Sequence, residues 1–163
     1  MLSNTHHHID EHILLHCSEA DEIWHAGDIG SAAVADRLSS IKPLKAVWGN
    51  IDDDKMRRRF EEILVFTCEG LKIMILHIGG TPGKYPEKVK SAINLHRPDI
   101  FICGHSHILK IQRDPTFALL YINPGASGHI GFHQVRTMVR FAIQDKDISN
   151  MEVIELGKRG RLS

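Results

Sequence analysis

The sequence is short of cysteine, short of tyrosine and tryptophan, and free of any charge surplus, and each shortage removes a class of protein. Its three cysteines, Cys17, Cys68 and Cys103, fall at no CxxC spacing and make no even framework. That excludes a secreted disulfide scaffold and leaves reduced thiols, as expected of a cytoplasmic chain. Lys+Arg and Asp+Glu number 20 each, so the formal net charge is zero. A neutral chain has no bulk positive field to hold a nucleic acid or an anionic membrane surface. No apolar run nears the roughly 18 residues that a membrane-crossing helix needs; the longest are of the kind Ile73–Ile78. The opening residues, MLSNTHHHIDEH, show no charged segment followed by an apolar one, so no secretory leader is expected. These absences predict a soluble cytoplasmic protein with no membrane partner and no strong nucleic-acid signal.

What is present suffices for one core. The 163 residues, 42% of them hydrophobic, suit a single domain, expected over residues 1–156 with a polar tail at 157–163. Histidine is the surplus: 12, against 2 Tyr and 2 Trp. It is the commonest metal ligand and titrates near neutrality, so what matters is whether these residues are scattered or placed.

The hydrophobic pattern alternates short apolar strands with amphipathic segments. Strands are expected at Glu22–His25, Leu44–Trp48, Ile63–Thr67, Leu71–His77 and Asp99–Cys103, with a hairpin turn at Glu69-Gly70. Helices are expected over Ala32–Leu38, capped by Ser31, and over Glu87–His96 after the Gly79–Pro86 loop. His12 and His16 fall on a further helical segment, and Arg57–Arg59 reads as a solvated helix face. Leu109–Arg113, Ala118–Ile122, Val135–Ile143 and Ser149–Glu155 form a run of strands. Alternation followed by consecutive strands predicts an α/β core with antiparallel additions, as two sheets packed face to face.

Polar residues then recur where apolar strands run into glycine. His25 and Asp28 flank Gly27, Asn50 and Asp52 follow Gly49, His77 ends its strand before Gly79, and His105 and His107 follow Gly104. In open α/β sheets the carboxyl ends of the strands form the ligand-binding edge. Singly, Gly-Asp and Gly-Asn are ordinary turns and a lone strand-end histidine is usually a hydrogen-bonded one. Two imidazoles two residues apart, in Gly104-His105-Ser106-His107, are harder to explain by folding needs, and the ordered set harder still.

This order, Gly27-Asp28, Gly49-Asn50, His77 and Gly104-His105-x-His107, resembles the calcineurin-like metallophosphoesterases, and most the small YfcE-type phosphodiesterases. The resemblance runs from Ser3 to about Leu156 and includes the Asn123-Pro124-Gly125 turn. It implies a four-layer αββα sandwich, two packed β-sheets flanked by helices. It also implies two divalent ions, manganese foremost, with nickel, iron, zinc or magnesium as alternatives. By position, one site would take Asn4, His6, Asp28 and His107, and the other Asp28, Asn50, His77 and His105, with Asp28 bridging. The ions would lie roughly 3.5–4 Å apart, and hydroxide between them would attack a small phosphodiester in line. Asp28, Asn50, Asp52 and His105 are the candidate catalytic residues, Asp52 as a supporting acid or as a brace behind the ligands. His25 is expected to orient a ligand.

Two positions depart from the family pattern. Asn4 stands where Asp-x-His is usual, which keeps an oxygen but removes a negative charge. Ile51 stands where many relatives carry a histidine that serves the leaving group. His7 and His8 read as incidental, His7 at the mouth, while no role is fixed for His129 or His133. The alternative reading is a catalytically weak interaction scaffold on the same fold, since a eukaryotic retromer subunit resembles these enzymes yet works as a binding module. A homodimer is the expected assembly if there is one.

Overall fold

The computed structural model of the chain describes residues 1–160. In chain order the elements are α1 (Glu11–Ser18), β1 (Ile23–His25), α2 (Ala32–Ser39), β2 (Leu44–Ala46) and α3 (Asp54–Arg59). They continue with β3 (Ile63–Cys68), β4 (Leu71–Leu76), α4 (Glu87–His96), β5 (Ile100–Ile102), β6 (Leu109–Asp114), β7 (Leu119–Pro124), β8 (Val135–Gln144) and β9 (Asp147–Lys158). The first three helices start where an oxygen-bearing side chain takes an otherwise unpaired first-turn N–H: Asp10 from Ile13, Ser31 from Val34, and Asp53 from Met56. Helix α4 starts behind Pro86, whose fixed φ suits a helix entry, and stops at Arg97 in the left-handed region.

Period-two burial builds the layers. In β4, Ile73 and Ile75 join one apolar cluster while Met74 and Leu76 join another. Ile100 and Ile102 of β5 and Leu120 and Ile122 of β7 point with the first pair, and Phe101, Cys103, Leu119 and Tyr121 with the second. The first cluster also holds Trp24, Ala26, Val47 and Val139, so it is the filling between two sheets. One sheet has the order β3-β4-β5-β7-β6, with a parallel centre and antiparallel edges. Its far face is covered by α4 through Val89, Ala92 and Ile93. The other layer consists of β1 and β2, paired in parallel, and the β8–β9 hairpin. Met1 and Leu2 link these two pairs: Leu2 donates to Trp24 O at 3.0 Å and Val139 donates to Met1 O at 3.1 Å. Leu14, Val34, Leu38 and Met56 of α1 to α3 pack on its outer face. The result is the mixed α/β sandwich with helices outside both sheets.

The strands sit where the sequence pattern expects them, with shifted ends. The expected strand Leu44–Trp48 stops at Ala46, and Val47 makes only a bridge to Glu61. Strand β9 runs to Lys158, so Gly157 and Lys158 of the expected tail pair with Arg136 and Val135. Residues 161–163 of that tail lie outside the described residues. No helix among the described residues is long and apolar enough to cross a membrane.

Candidate metal centre

Four strands or their leading segments end on one edge of the sandwich, and each delivers a ligand-type side chain there. The Asn4–His7 segment is laced to the turn after β1: Asn4 donates to Gly27 O at 3.0 Å, His6 to Asp28 O at 3.0 Å and His7 to Ile29 O at 3.1 Å. The turn after β2 brings Asn50, β4 brings His77, and β5 brings His105 and His107. The backbone here is held in an uncommon state. Asn4, His6, His7, Asp28, His105 and His107 all have φ between 47° and 68°. Asn, Asp and His tolerate this left-handed region best among residues with a side chain. Its concentration in one edge is the kind of stored strain found at functional sites.

The side chains form a line of contacts with Asp28 in the middle. From one end, His107 Nε2 lies 3.3 Å from His6 Nε2, and His6 Nε2 lies 3.6 Å from Asp28 Oδ2. From the other oxygen, Asp28 Oδ1 lies 3.2 Å from His77 Nε2. His77 Nε2 is 3.0 Å from Asn50 Oδ1, which is 2.9 Å from His105 Nδ1. Two ligands bound to one ion at about 2.1 Å sit about 3.0–3.4 Å apart in tetrahedral or octahedral geometry, and the spacings come close to that range except His6–Asp28 at 3.6 Å. Asp28 and His77 in the middle of the line are buried, while Asn50 and His105 at one end are exposed and open it to solvent.

Asn4 supplies the most telling atom. Its Nδ2 donates to Ser3 Oγ at 2.9 Å, but its Oδ1 is fully buried with no hydrogen-bond partner. Leaving a buried acceptor unpaired costs about 1–3 kcal/mol. A buried carbonyl oxygen without a partner, two residues from His6, is suited to accept a cation. The donor set of imidazole, carboxylate and amide oxygen fits borderline divalent ions such as manganese, iron, nickel or zinc.

Residues behind the line fix its protonation. His77 Nδ1 donates to Ala26 O at 2.7 Å, which leaves Nε2 with its lone pair toward Asp28 and Asn50. His133 Nε2 donates to Gly128 O at 2.9 Å, so its Nδ1 accepts from His107 Nδ1 at 3.3 Å. That frees His107 Nε2 as a ligand atom. Burial first, then the neighbouring His6 and His133, lowers the His107 imidazole to about 4. Burial likewise lowers His6 and His105. For Asp28, burial pushes the carboxyl up, but the adjoining His77 ring, the Ile51 N–H and His6 together hold it below the usual range. A carboxylate biased toward its ionised form beside His6, His105 and His107 biased toward their neutral forms suits a divalent cation.

The glycines read from the sequence are there for clearance. A Cβ on Gly49 would fall 2.1 Å from Asp28 Oδ1, and one on Gly27, at φ +89°, would fall 2.6 Å from His77 Nδ1. The Asn123-Pro124-Gly125 turn braces two ligand loops. Asn123 Nδ2 donates to Gly104 O at 2.8 Å, and Gly125 O accepts from Ser3 Oγ at 2.6 Å.

Of the two roles left open for Asp52, the geometry fits the brace. Its buried carboxylate accepts from Gly30 N at 2.6 Å, Gly49 N at 2.8 Å and Ile29 N at 3.2 Å. It therefore clamps the Asp28 turn to the Asn50 turn. His25 is buried beside that turn: Nδ1 accepts from Gly27 N and Nε2 donates to Thr5 Oγ1 at 3.0 Å. His133 is the contributor that the sequence left without a role.

Burial, then the nearby His77, lowers His25 from an ordinary 6.5 to about 3. Unfolded chains therefore take up a proton below pH 6.5 that the folded protein refuses. Stability is complete above that pH and falls as pH drops, by about 1.4 kcal/mol per unit. In metal-free protein, the stability lost between pH 6.5 and pH 5 in urea unfolding should be about 2 kcal/mol smaller in the His25→Asn variant, which keeps the contributions of His6, His105, His107 and His133. Equal slopes in both proteins would contradict this assignment.

A second histidine cluster lies next to the first. His8, Asp10 and His129 have ligand atoms within 4.8 Å of one another, and no other His, Cys, Asp or Glu trio among the described residues is as tight. Asp10 Oδ2, however, also takes Arg136 Nη2 at 2.6 Å, and Oδ1 caps α1. The guanidinium charge opposes an ion there, and the cluster acts as a cross-brace between α1 and β8.

Comparison with known proteins agrees with this architecture. Residues 1–146 match the family model of the calcineurin-like phosphoesterase superfamily domain. A search of curated proteins finds no match. Among solved structures, wild-type Vps29 complexed with zinc from Entamoeba histolytica superposes with a TM-score of 0.73 at 15% identity, over 98% of this chain and 97% of its own. A predicted phosphoesterase from Streptococcus pneumoniae gives 0.66 at 22% identity, over 96% and 86%. An archaeal phosphodiesterase gives 0.65 at 20% identity, over 94% and 97%. At these identities the structural likeness establishes the fold alone.

Proposed function

Because the chain belongs to the calcineurin-like phosphoesterase superfamily, we propose that the line of side chains centred on Asp28 is a two-ion site that hydrolyses phosphoesters, small diesters first among them. The observation that carries this reading is the position of Asp28, with one oxygen toward His6 and the other toward His77. Two divalent ions held there, manganese foremost, would polarise the phosphoryl oxygens and acidify the attacking water. The chain's own residues do the rest. Asp28 shares its charge between the two halves, Asn4 and Asn50 add neutral oxygens, and His6 with His107 and His77 with His105 complete each half. Ala26 O and the His133–Gly128 pair hold His77 and His107 in the tautomers that bind. Exposed His105 and Asn50 lie where substrate arrives. Residues 1–156 act as one unit in this reading. It places the protein in the cytoplasm, where Cys17, Cys68 and Cys103 stay free thiols.

Asn4 favours a second reading, an interaction scaffold on this fold with a weakened site. Manganese-stimulated hydrolysis of bis-p-nitrophenyl phosphate separates the two. Wild type should turn over, and His105→Ala should lower kcat/KM by about a hundredfold, the scale of losing one group that stabilises the transition state. Absence of metal-dependent hydrolysis in both wild type and Asn4→Asp, tested with manganese, nickel, iron, zinc and magnesium, would favour the scaffold.

A further inference from the structure

Exposed hydrophobic residues adjoin the ligand positions in the chain. Nine large hydrophobic side chains are exposed in the described structure, and five of them neighbour ligand positions or the Gly131 turn: Ile51, Ile78, Ile108, Ile130 and Phe132, between 40% and 104% exposed, among the exposed polar His7, Asn50, Asp53, His105 and Ser106. Ile51 follows Asn50, Ile78 follows His77, and Ile108 follows His107. Ile130 and Phe132 flank Gly131, where a Cβ would lie 2.0 Å from His107 Nδ1. Their loop does not hang loose. His133 Nε2 donates to Gly128 O, Arg159 Nη1 donates to Gly131 O at 2.5 Å, and His129 Nδ1 donates to Arg159 O. The fold thus holds a fully exposed phenylalanine out beside a metal ligand, where packing gives it nothing.

Several cations on the neighbouring segments are hydrogen-bonded within the fold. Arg57 donates to Asp52 O and Asn50 O and stacks over Trp48. Arg159 is tied to Gly131 O, and Lys110 donates to Thr81 Oγ1 at 2.8 Å. Lys84, exposed on the Gly79–Pro86 loop, adds a single charge. A polyphosphate or a nucleic-acid strand needs several free cations in a row. An ester with one phosphoryl group and an apolar arm needs one charged centre and a greasy rim.

From this juxtaposition, and resting on the phosphoesterase reading, we infer that the substrate is a phosphodiester bearing an alkyl or aryl substituent, which Ile51, Ile78, Ile108, Ile130 and Phe132 receive. A second copy of the chain seated on the same rim would have to seal the polar, exposed His105 and Asn50. An apolar arm attached to the phosphoryl group satisfies rim and centre together.

The test is calorimetric binding of dimethyl, methyl butyl and methyl hexyl phosphate to manganese-loaded protein, with sedimentation in parallel. Full burial of a methylene is worth about fourfold in affinity, so a half-open rim gives about twofold for each, or about 30-fold from dimethyl to methyl hexyl phosphate. The Phe132→Ser/Ile108→Ser double variant, altered only at exposed positions, should cut that gradient to below about fivefold while binding dimethyl phosphate as before. A gradient under about threefold in wild type, with dimethyl phosphate still bound and esters still cleaved, overturns the inference and leaves the phosphoesterase reading standing. If no ester is bound or cleaved by manganese-loaded protein, both fall. A wild-type dimer that Phe132→Ser dissociates, with no dependence on chain length, assigns the rim to self-association instead.

Discussion

Asp28→Asn should reduce metal-dependent phosphodiester hydrolysis by about a thousandfold in kcat/KM, the loss equivalent to about 4 kcal/mol of charge stabilisation. The reasoning is local. Asp28 is the one carboxylate in the line of contacts, and its two oxygens face opposite halves. Asparagine keeps the shape and one oxygen but removes the sole negative charge that both ions would share. With Asn4 already neutral, the first half would then hold a cation with amides and imidazoles alone. Initial rates on bis-p-nitrophenyl phosphate across a manganese titration measure this. The variant should need far more metal and still turn over slowly. A variant within tenfold of wild type at saturating manganese would show that Asp28 is not the shared ligand.

The largest effect on stability is expected away from the ligands, at Asp52. Alanine there removes the acceptor for three backbone donors, Gly30, Gly49 and Ile29. At about 1–3 kcal/mol for each of the three orphaned donors, the loss should be about 3–9 kcal/mol, a large part of the ~5–15 kcal/mol that a domain possesses. Urea unfolding of metal-free protein gives the number directly. Asp52→Asn, which retains one acceptor oxygen, should lose about half as much. A loss under ~1 kcal/mol for alanine would mean that water replaces the carboxylate and the clamp is weak. Measured in the same preparations, manganese affinity should fall with stability, because the clamp sets the distance between the Asp28 and Asn50 turns.

Much of this site is legible in the sequence because its parts are local. A strand of alternating apolar residues that ends in glycine and then a ligand-type side chain, as at His77 and at His105, announces both the edge and its chemistry. The two-sheet core is legible for the same reason: Ile73, Ile75, Met74 and Leu76 declare their two faces by position. What the sequence leaves open depends on long loops closing. His133 reaches His107 only because the 128–133 segment folds back, a contact between residues 26 apart. Asp52 reads as a turn carboxylate until its three backbone donors come from two different turns. The β8–β9 hairpin joins the β1 layer through Met1 and Leu2, and no periodicity in either segment signals that insertion. Gly157 looks like the start of a tail, yet pairing with Arg136 keeps it in the sheet.

The neutral overall charge acquires a local meaning in this account. A chain of zero net charge has no bulk basic field to draw an anionic substrate. In the proposed site that charge would be met at one point, where half-buried His6 and His107 are biased toward the neutral form and Asp28 toward the ionised one. The unpaired Oδ1 of Asn4 is the part of the site that most needs a cation to make sense.

The most direct measurement is therefore the number of divalent ions bound per chain, by elemental analysis after equilibration with manganese and removal of free metal. The account predicts two ions in wild type, two held more tightly in Asn4→Asp, and fewer than one in Asp28→Asn. Wild type and Asn4→Asp that both remain metal-free, with manganese, iron, nickel and zinc each offered, would contradict it.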